Sequence, residues 1–67
     1  MKTTYVTMNG KKIAASRQSN KTLLIPKTRK NFPDSDRTIL EDKYGHRYAR
    51  DIELEQIEPD MFIFCMI

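Results

Sequence analysis

A chain of 67 residues makes one small domain, residues 1–67, which buries only about 60% of the surface that it exposes when unfolded, so we expect a thin core. One cysteine, Cys65, excludes an internal disulfide, and one histidine, His46, leaves no Cys/His set for a structural zinc site. The net charge is +3, and no window approaches the roughly 18 apolar residues of a membrane span. The single cysteine suits a reducing compartment, so we expect a cytoplasmic protein. We also expect it to hold no metal or cofactor.

The first predicted element is a β-hairpin around Asn9 and Gly10. Asn-Gly between β-prone runs is a strong hairpin signal, because a type I′ turn needs positive φ at both turn positions. A two-residue loop fixes the register of the strands on either side, Thr4–Met8 and Lys11–Ser16. Two sets of side chains follow: Val6, Met8, Ile13 and Ala15 on a face suited to a core, and Tyr5, Thr7 and Lys12 on the opposite face.

The middle of the chain predicts a strand between two loops. Residues 17–20 are polar and are expected to form a loop, and residues 21–25 form a third strand that Pro26 ends, since proline cannot donate to a ladder. Residues 27–37 are the longest irregular segment, expected to be exposed and to carry contacts. Their lone aromatic residue, Phe32, is a candidate partner contact, although a lid on the core is the more common role for such a side chain.

A second hairpin is predicted around residues 42–46, where Gly45 supplies the positive φ of the turn. Apolar residues flank this turn: Ile39 and Leu40 before it, and Tyr48, Ile52 and Leu54 on one parity after it. The three-residue step from Leu54 to Ile57 indicates a bulge or a short 3₁₀ turn near Glu55. On a strand, Glu53 and Glu55 would point the same way, as on a solvated face.

The chain closes with residues 61–67, which are all apolar and show no alternation. Such a run is typical of a strand covered on both faces. Three explanations stay open: a second molecule covers one face, part of the strand stays exposed as an adhesive edge, or hairpins of the same chain curl around the strand. For an isologous dimer the candidate contacts are Phe62, Phe64 and Met66, with Ile63, Cys65 and Ile67 as the alternative set.

Five or six short strands in about 60 residues predict an all-β fold, either a small barrel or a strongly bent antiparallel sheet of about five strands. A strand, an Asp-x-x-Gly turn and a second strand resemble the pattern of SH3-like and Sm-like barrels. The residues that carry this resemblance are Ile39-Leu40-Glu41-Asp42, Gly45, Tyr48 and Ile52-Glu53-Leu54. The resemblance implies a fold and no function, and the apolar C-terminal run departs from it.

Charge is distributed very unevenly along the chain. Residues 1–33 hold eight basic residues and no acid, whereas residues 34–67 hold nine acids and four bases, so the halves carry +8 and −5. Cross-strand pairing could neutralise these charges, the cations could form one basic face, or opposite halves of two copies could associate head to tail. The candidate basic face consists of Lys11, Lys12, Arg17, Lys21, Lys27, Arg29 and Lys30, with Tyr5 as a stacking residue.

Catalysis is not expected, because His46 lies in a predicted exposed turn and Cys65 in an apolar strand where burial would raise the thiol pKa. The sequence therefore predicts a non-enzymatic binding module, a regulator or inhibitor that docks on a larger protein. Viral and mobile elements are one common source of such proteins. The alternative is a small barrel that binds nucleic acid with little sequence preference through its basic N-terminal half.

Overall fold

The computed structural model describes residues 2–67, which form a closed antiparallel β-barrel with one short helix. The strands are β1 (Lys2–Met8), β2 (Lys11–Ser19), β3 (Thr22–Pro26), β4 (Ile39–Glu41), β5 (Arg47–Arg50) and β6 (Met61–Met66), and the helix is α1 (Ile52–Ile57). Around the barrel the strand order is β1-β2-β3-β6-β5-β4. The prediction of a small all-β barrel is confirmed, with six strands where about five were expected.

The first hairpin has the predicted turn and register. Asn9 and Gly10 have φ of 52° and 80°, and Val6 pairs with Ile13. The prediction of a loop at residues 17–20 is wrong, because β2 continues to Ser19 and Arg17 pairs with neighbours on both sides. Polar residues fit this end of the strand because it leaves the core and meets solvent.

The core lies inside the barrel and contains residues from every strand. Its buried members are Val6, Met8, Ala15, Leu23, Ile25, Leu40, Tyr48, Phe62 and Phe64. The closing strand β6 is covered on both faces within this one chain. Phe62 and Phe64 point into the barrel, and Ile63 on the other side is 3% exposed beside α1, where its backbone N–H donates to Glu55. Within β6 the apolar run is therefore covered by its own chain, whereas Ile67, beyond the strand, is 78% exposed.

Residues 52–57 form a helix, so the predicted strand through Ile52 and Leu54 is wrong. The Asp51 side chain caps the helix by accepting a hydrogen bond from the Leu54 N–H at 3.1 Å. Helical geometry turns Glu55 inward, where it is 5% exposed, and leaves Ile57 74% exposed. The solvated face predicted for Glu55 is thus also wrong. No helix within residues 2–67 is long and apolar enough to cross a membrane.

The long loop between β3 and β4 closes one side of the barrel. Phe32 in this loop packs on Phe62 and Phe64, with ring centres 5.1 and 6.0 Å apart. Phe32 is therefore a lid on the core. The barrel closes between β1 and β4, where one residue pair, Thr7 with Glu41, connects the strands.

Candidate functional site

One end of the barrel opens into a cavity of about 590 Å³, which we call the mouth. It lies between the start of β1, the end of β2 and the turn that joins β4 to β5. Asp42 and Tyr48 form its floor. Its rim carries four cations and two aromatic rings, from Lys2, Arg17, Lys21, Lys43, Tyr44 and His46.

The strand pattern explains why cations gather at this end. Residues of β1 and β2 that face the barrel interior alternate along each strand, and near the middle they are Val6 and Ala15, both buried. Further along the same face, at the end of the barrel, stand Lys2, which follows Thr4 on this face of β1, and Arg17, which follows Ala15 on β2; Lys2 and Arg17 are cross-strand partners. Because the inward face meets solvent there, charged side chains extend over the opening.

Asp42 organises the turn at the floor of the mouth. One carboxylate oxygen accepts hydrogen bonds from the backbone N–H of Tyr44 and of His46, both at 2.9 Å, and the other accepts from the Tyr48 hydroxyl at 2.8 Å. Burial raises the pKa of Asp42, but the hydrogen bonds from Tyr48, His46 and Tyr44 outweigh it, so the net effect lowers the pKa. Asp42 is therefore ionised, and the predicted positive φ of Gly45, at 83°, completes its turn.

Arg17 lies above this carboxylate without binding it directly. Its guanidinium donates to the Tyr48 hydroxyl at 3.3 Å and to the Asn20 carbonyl at 3.1 Å, and it stands 3.9 Å from the Asp42 carboxylate. Burial raises the pKa of Tyr48, which keeps its hydroxyl protonated and able to donate to Asp42. Since a guanidinium has five N–H donors, Arg17 keeps donors for a ligand, and its side chain is 24% exposed.

The three lysines of the mouth have even fewer polar partners than Arg17. Within residues 2–67, no carboxylate lies within 4.0 Å of Lys2, Lys21 or Lys43. Asp42 is the only acid among the residues that line the cavity, so four cations face one buried carboxylate. The mouth is a positively charged opening.

A second depression, of about 350 Å³, continues from the mouth across the outer side of the hairpin, and we call it the groove. It is lined by Tyr5 and Lys12, and by three residues that it shares with the mouth, Thr3, Thr4 and Lys43. The Lys12 ammonium lies 5.3 Å from the centre of the Tyr5 ring. Mouth and groove thus form one continuous surface.

The predicted basic face is divided between several places. Arg17 and Lys21 line the mouth, and Lys12 and Tyr5 line the groove. The remaining members lie elsewhere: Lys11 beside the first turn, Lys27 at 4.0 Å from Glu55, Arg29 against a cavity of about 150 Å³ near Leu24, and Lys30 exposed on the long loop. Half of the predicted set therefore lies together.

The predicted partner contacts do not form one surface. Phe62 and Phe64 are 3% and 0% exposed, so they are inaccessible to a partner in the folded domain. Phe32 packs on them from the loop, and Met66 is half-buried at the edge of the mouth. An isologous dimer through these side chains would require the core to open, because each apolar group already has neighbours in its own chain.

Sequence reasoning missed Lys2, Lys43 and Tyr44, which complete the mouth. The signal was present in the Asp-x-x-Gly turn, because residues inside a turn that joins two barrel strands lie at a barrel end. Lys43 was not predicted because it follows Glu41 and Asp42 in the acidic half of the chain. Lys2 and Lys43 are far apart in the sequence, so the sequence alone does not indicate that both line the mouth.

A second buried carboxylate lies away from the mouth, in what we call the Arg50–Glu55 cluster. Arg50 donates two hydrogen bonds to Glu55, at 2.5 and 2.6 Å, and also contacts Asp34 and the Ser35 carbonyl. Burial raises the pKa of Glu55, but the Arg50 guanidinium and the Ile63 N–H outweigh it and lower the pKa overall. The cluster ties the long loop, β5, α1 and β6 together.

Cys65 and His46 each contact a carboxylate of their own. Cys65 donates to Asp51 at 3.6 Å, whereas His46 lies 3.4 Å from Asp42. Burial raises the pKa of the Cys65 thiol, which keeps it protonated. Across residues 2–67, no three His, Cys, Asp or Glu side chains are placed to share a metal ion.

No protein-family model, curated protein or solved structure matches this chain. The chemistry of the mouth and the groove is therefore the basis for a functional proposal.

Proposed function

We propose that this protein is a non-enzymatic binding domain that holds the phosphate backbone of a nucleic acid in the mouth, with little sequence preference. One observation carries the proposal: four cations surround an opening whose single carboxylate is buried and already hydrogen-bonded. Lysine and arginine neutralise phosphates and release counterions, which makes affinity independent of sequence and dependent on salt.

Each cation has a distinct part in this proposal. Arg17 is held in place by Tyr48 and Asn20, so it offers its remaining N–H donors in a fixed direction. Lys2, Lys21 and Lys43 are exposed and flexible, and they act as point charges around it. Asp42 supports Arg17 from below through Tyr48, and its one buried negative charge leaves the mouth with a net positive charge.

Fluorescence anisotropy with labelled oligonucleotides tests the proposal. We expect micromolar dissociation constants at low salt, and four phosphate contacts predict a slope of log K against log [salt] of about −3. The variant Lys21→Glu/Lys43→Glu should abolish binding. Its matched control is Lys11→Glu/Lys30→Glu, which makes the same change in net charge outside the mouth and should bind with only modest loss. Equal loss in both variants, or no binding by the native protein, would refute the mouth as the site.

A second candidate function, docking on a protein as a regulator or inhibitor, is favoured by the outer side of α1. Leu54 and Ile57 are 39% and 74% exposed there, next to the acidic Glu53 and Glu58. Exposed aliphatic groups within an acidic rim are typical of a protein contact. This surface replaces the closing strand as the candidate for a partner.

The two candidates separate experimentally. In a pull-down, Leu54→Ser/Ile57→Ser should no longer capture a protein partner. The variant in which Lys27, Arg29 and Lys30 are all replaced by Glu should still capture it. A partner retained at full strength by Leu54→Ser/Ile57→Ser would exclude α1 as the docking surface. Nucleic-acid affinity should not change in Leu54→Ser/Ile57→Ser, because both side chains lie outside the mouth and the groove.

A further inference from the structure

Two exposed tyrosines lie along the surface formed by the mouth and the groove. Tyr5 is 57% exposed and Tyr44 is 72% exposed. A lysine ammonium stands over each ring, Lys12 at 5.3 Å from the Tyr5 centre and Lys43 at 5.1 Å from the Tyr44 centre. Large exposed aromatic rings paired with cations are what a single-stranded nucleic acid requires, because bases stack on the rings and phosphates follow the charges.

The two rings belong to one path. Thr3, Thr4 and Lys43 line both depressions, so the depression that holds Tyr44 adjoins the one that holds Tyr5. The threonines are small and uncharged, and they leave a floor along which a chain can lie. Lys43 stands where the two depressions meet, within reach of a phosphate between two bases. No acid lines the groove, and the acid of the mouth is the buried Asp42.

We propose that the ligand is a single strand that runs from the mouth into the groove, with one base stacked on Tyr44, another on Tyr5, and the backbone between them on Lys43. This inference rests on the proposed function and specifies its substrate. A duplex keeps its bases stacked inside and offers only its backbone, so it gains the cations and not the tyrosines. The footprint is about four nucleotides, the lower end of the range for one small barrel.

Stacking also explains how the site tolerates any sequence. Every base has a π-face that a tyrosine ring can accept, and stacking on that face does not depend on the edge of the base. When a base takes the place of an ammonium above a ring, Lys12 and Lys43 are free to turn to the neighbouring phosphates. The same four residues therefore serve both the free and the bound state.

The test uses anisotropy with oligothymidylates of two to ten nucleotides and a blunt hairpin duplex of equal charge. We expect the single strand to bind about tenfold more tightly than the duplex, and affinity to level off near four nucleotides. Tyr5→Ala and Tyr44→Ala should each weaken binding of the six-nucleotide strand about tenfold, and Tyr5→Ala should also shorten the length at which affinity levels off. Binding should quench tyrosine fluorescence in the native protein.

Three controls make the outcome decisive. Tyr5→Phe and Tyr44→Phe keep the rings and should bind like the native protein, and Lys11→Ala changes a cation outside the groove beside Lys12 and should bind normally. Both tyrosines are exposed, so we expect each variant to fold. Thermal unfolding of each variant checks this. If salt-sensitive binding persists at native strength in both alanine variants, or the duplex binds as tightly, the single-strand path is wrong and the mouth proposal stands. If neither strand nor duplex binds, both proposals fall.

Discussion

Two buried carboxylates, Asp42 and Glu55, meet an arginine in opposite ways. Asp42 at the mouth is 8% exposed, and its arginine, Arg17, stands 3.9 Å away with a tyrosine hydroxyl between them. Glu55 is 5% exposed, and its arginine, Arg50, binds it through two direct hydrogen bonds. The Arg17 side chain is 24% exposed, and the Arg50 side chain is 5% exposed.

The difference assigns a structural role to one arginine and, under the proposed function, a binding role to the other. Arg50 makes four hydrogen bonds, two to Glu55 and one each to Asp34 and the Ser35 carbonyl, so it connects β5 with α1 and the long loop and keeps little for a ligand. Arg17 gives the Asp42 carboxylate no direct hydrogen bond, because backbone N–H groups and Tyr48 already satisfy it. One charged pair holds the barrel together, and the other leaves its cation available.

The largest effect should come from breaking the Arg50–Glu55 cluster. Arg50→Ala leaves Glu55 buried with only the more exposed Lys27, 4.0 Å away, as a counter-charge, which should lower the free energy of unfolding by about 3–5 kcal/mol. Urea unfolding followed by circular dichroism measures this loss. The matched control is Glu53→Gln on the exposed side of α1, which should change stability by less than about 0.5 kcal/mol. Similar losses of stability in both variants would show that the Arg50–Glu55 cluster stabilises the fold no more than an exposed carboxylate does.

Acid should cause a somewhat smaller loss of stability, because a protonated carboxyl keeps some of its hydrogen bonds. Both carboxylates have lowered pKa values when folded, so their stabilisation is present above their ordinary pKa values of about 3.9 and 4.3 and is lost as pH falls through the lowered values. Urea midpoints between pH 6 and pH 2 measure the decline. In Glu55→Gln the curve should flatten, and an unchanged slope would contradict the lowered pKa of Glu55.

Replacing the carboxylate of the mouth should have two effects of opposite sign. Asp42→Asn removes a charged acceptor of three hydrogen bonds and should destabilise the fold by about 2 kcal/mol. The same change removes the one negative charge of the mouth, so oligonucleotide affinity should rise several-fold. Anisotropy and urea unfolding on the same sample measure both effects. Weaker binding by folded Asp42→Asn would mean that the carboxylate orients Arg17 more than it opposes phosphate.

The smallest effect on stability should come from Arg17→Ala. The pair with Asp42 is distant and partly solvated, so its loss should reduce the free energy of unfolding by no more than about 1 kcal/mol. Oligonucleotide affinity should nevertheless fall about tenfold, with a salt slope less steep by about one. A large loss of stability in Arg17→Ala would remove the distinction between the two arginines.

Local signals in the sequence were enough to predict the barrel. Asn9-Gly10 gave the first turn and its register, Gly45 marked the second, and the apolar run of β6 indicated a strand covered on both faces. A short 3₁₀ turn near Glu55 was one of the predicted alternatives. A helix beginning at Ile52 was nevertheless missed because Ile52 and Leu54 alternate like a strand, whereas the signal that decided the structure was the capping carboxylate of Asp51. In six residues, a cap and one buried ion pair outweigh the apolar pattern.

The site was harder to predict because it depends on closure of the barrel. Arg17, Lys21, Lys12 and Tyr5 could be named from the basic N-terminal half, and they do line the mouth and the groove. Lys43, which lies in the acidic half, joins them because β4 pairs with β1. Conversely, Lys27 was predicted with the basic face but lies beside Glu55, an acid that only helical geometry turns inward.

The closure of the barrel between Thr7 and Glu41 has a further consequence. A single residue pair joins these strands, whereas the first hairpin is joined by seven. Local opening requires the least free energy where few backbone hydrogen bonds and little buried surface hold a structure. The barrel should therefore open first at this seam, where β1 meets β4. Since Thr4 and Asp42 border the mouth from either side of the seam, each such fluctuation widens the entrance by which a ligand would arrive or leave.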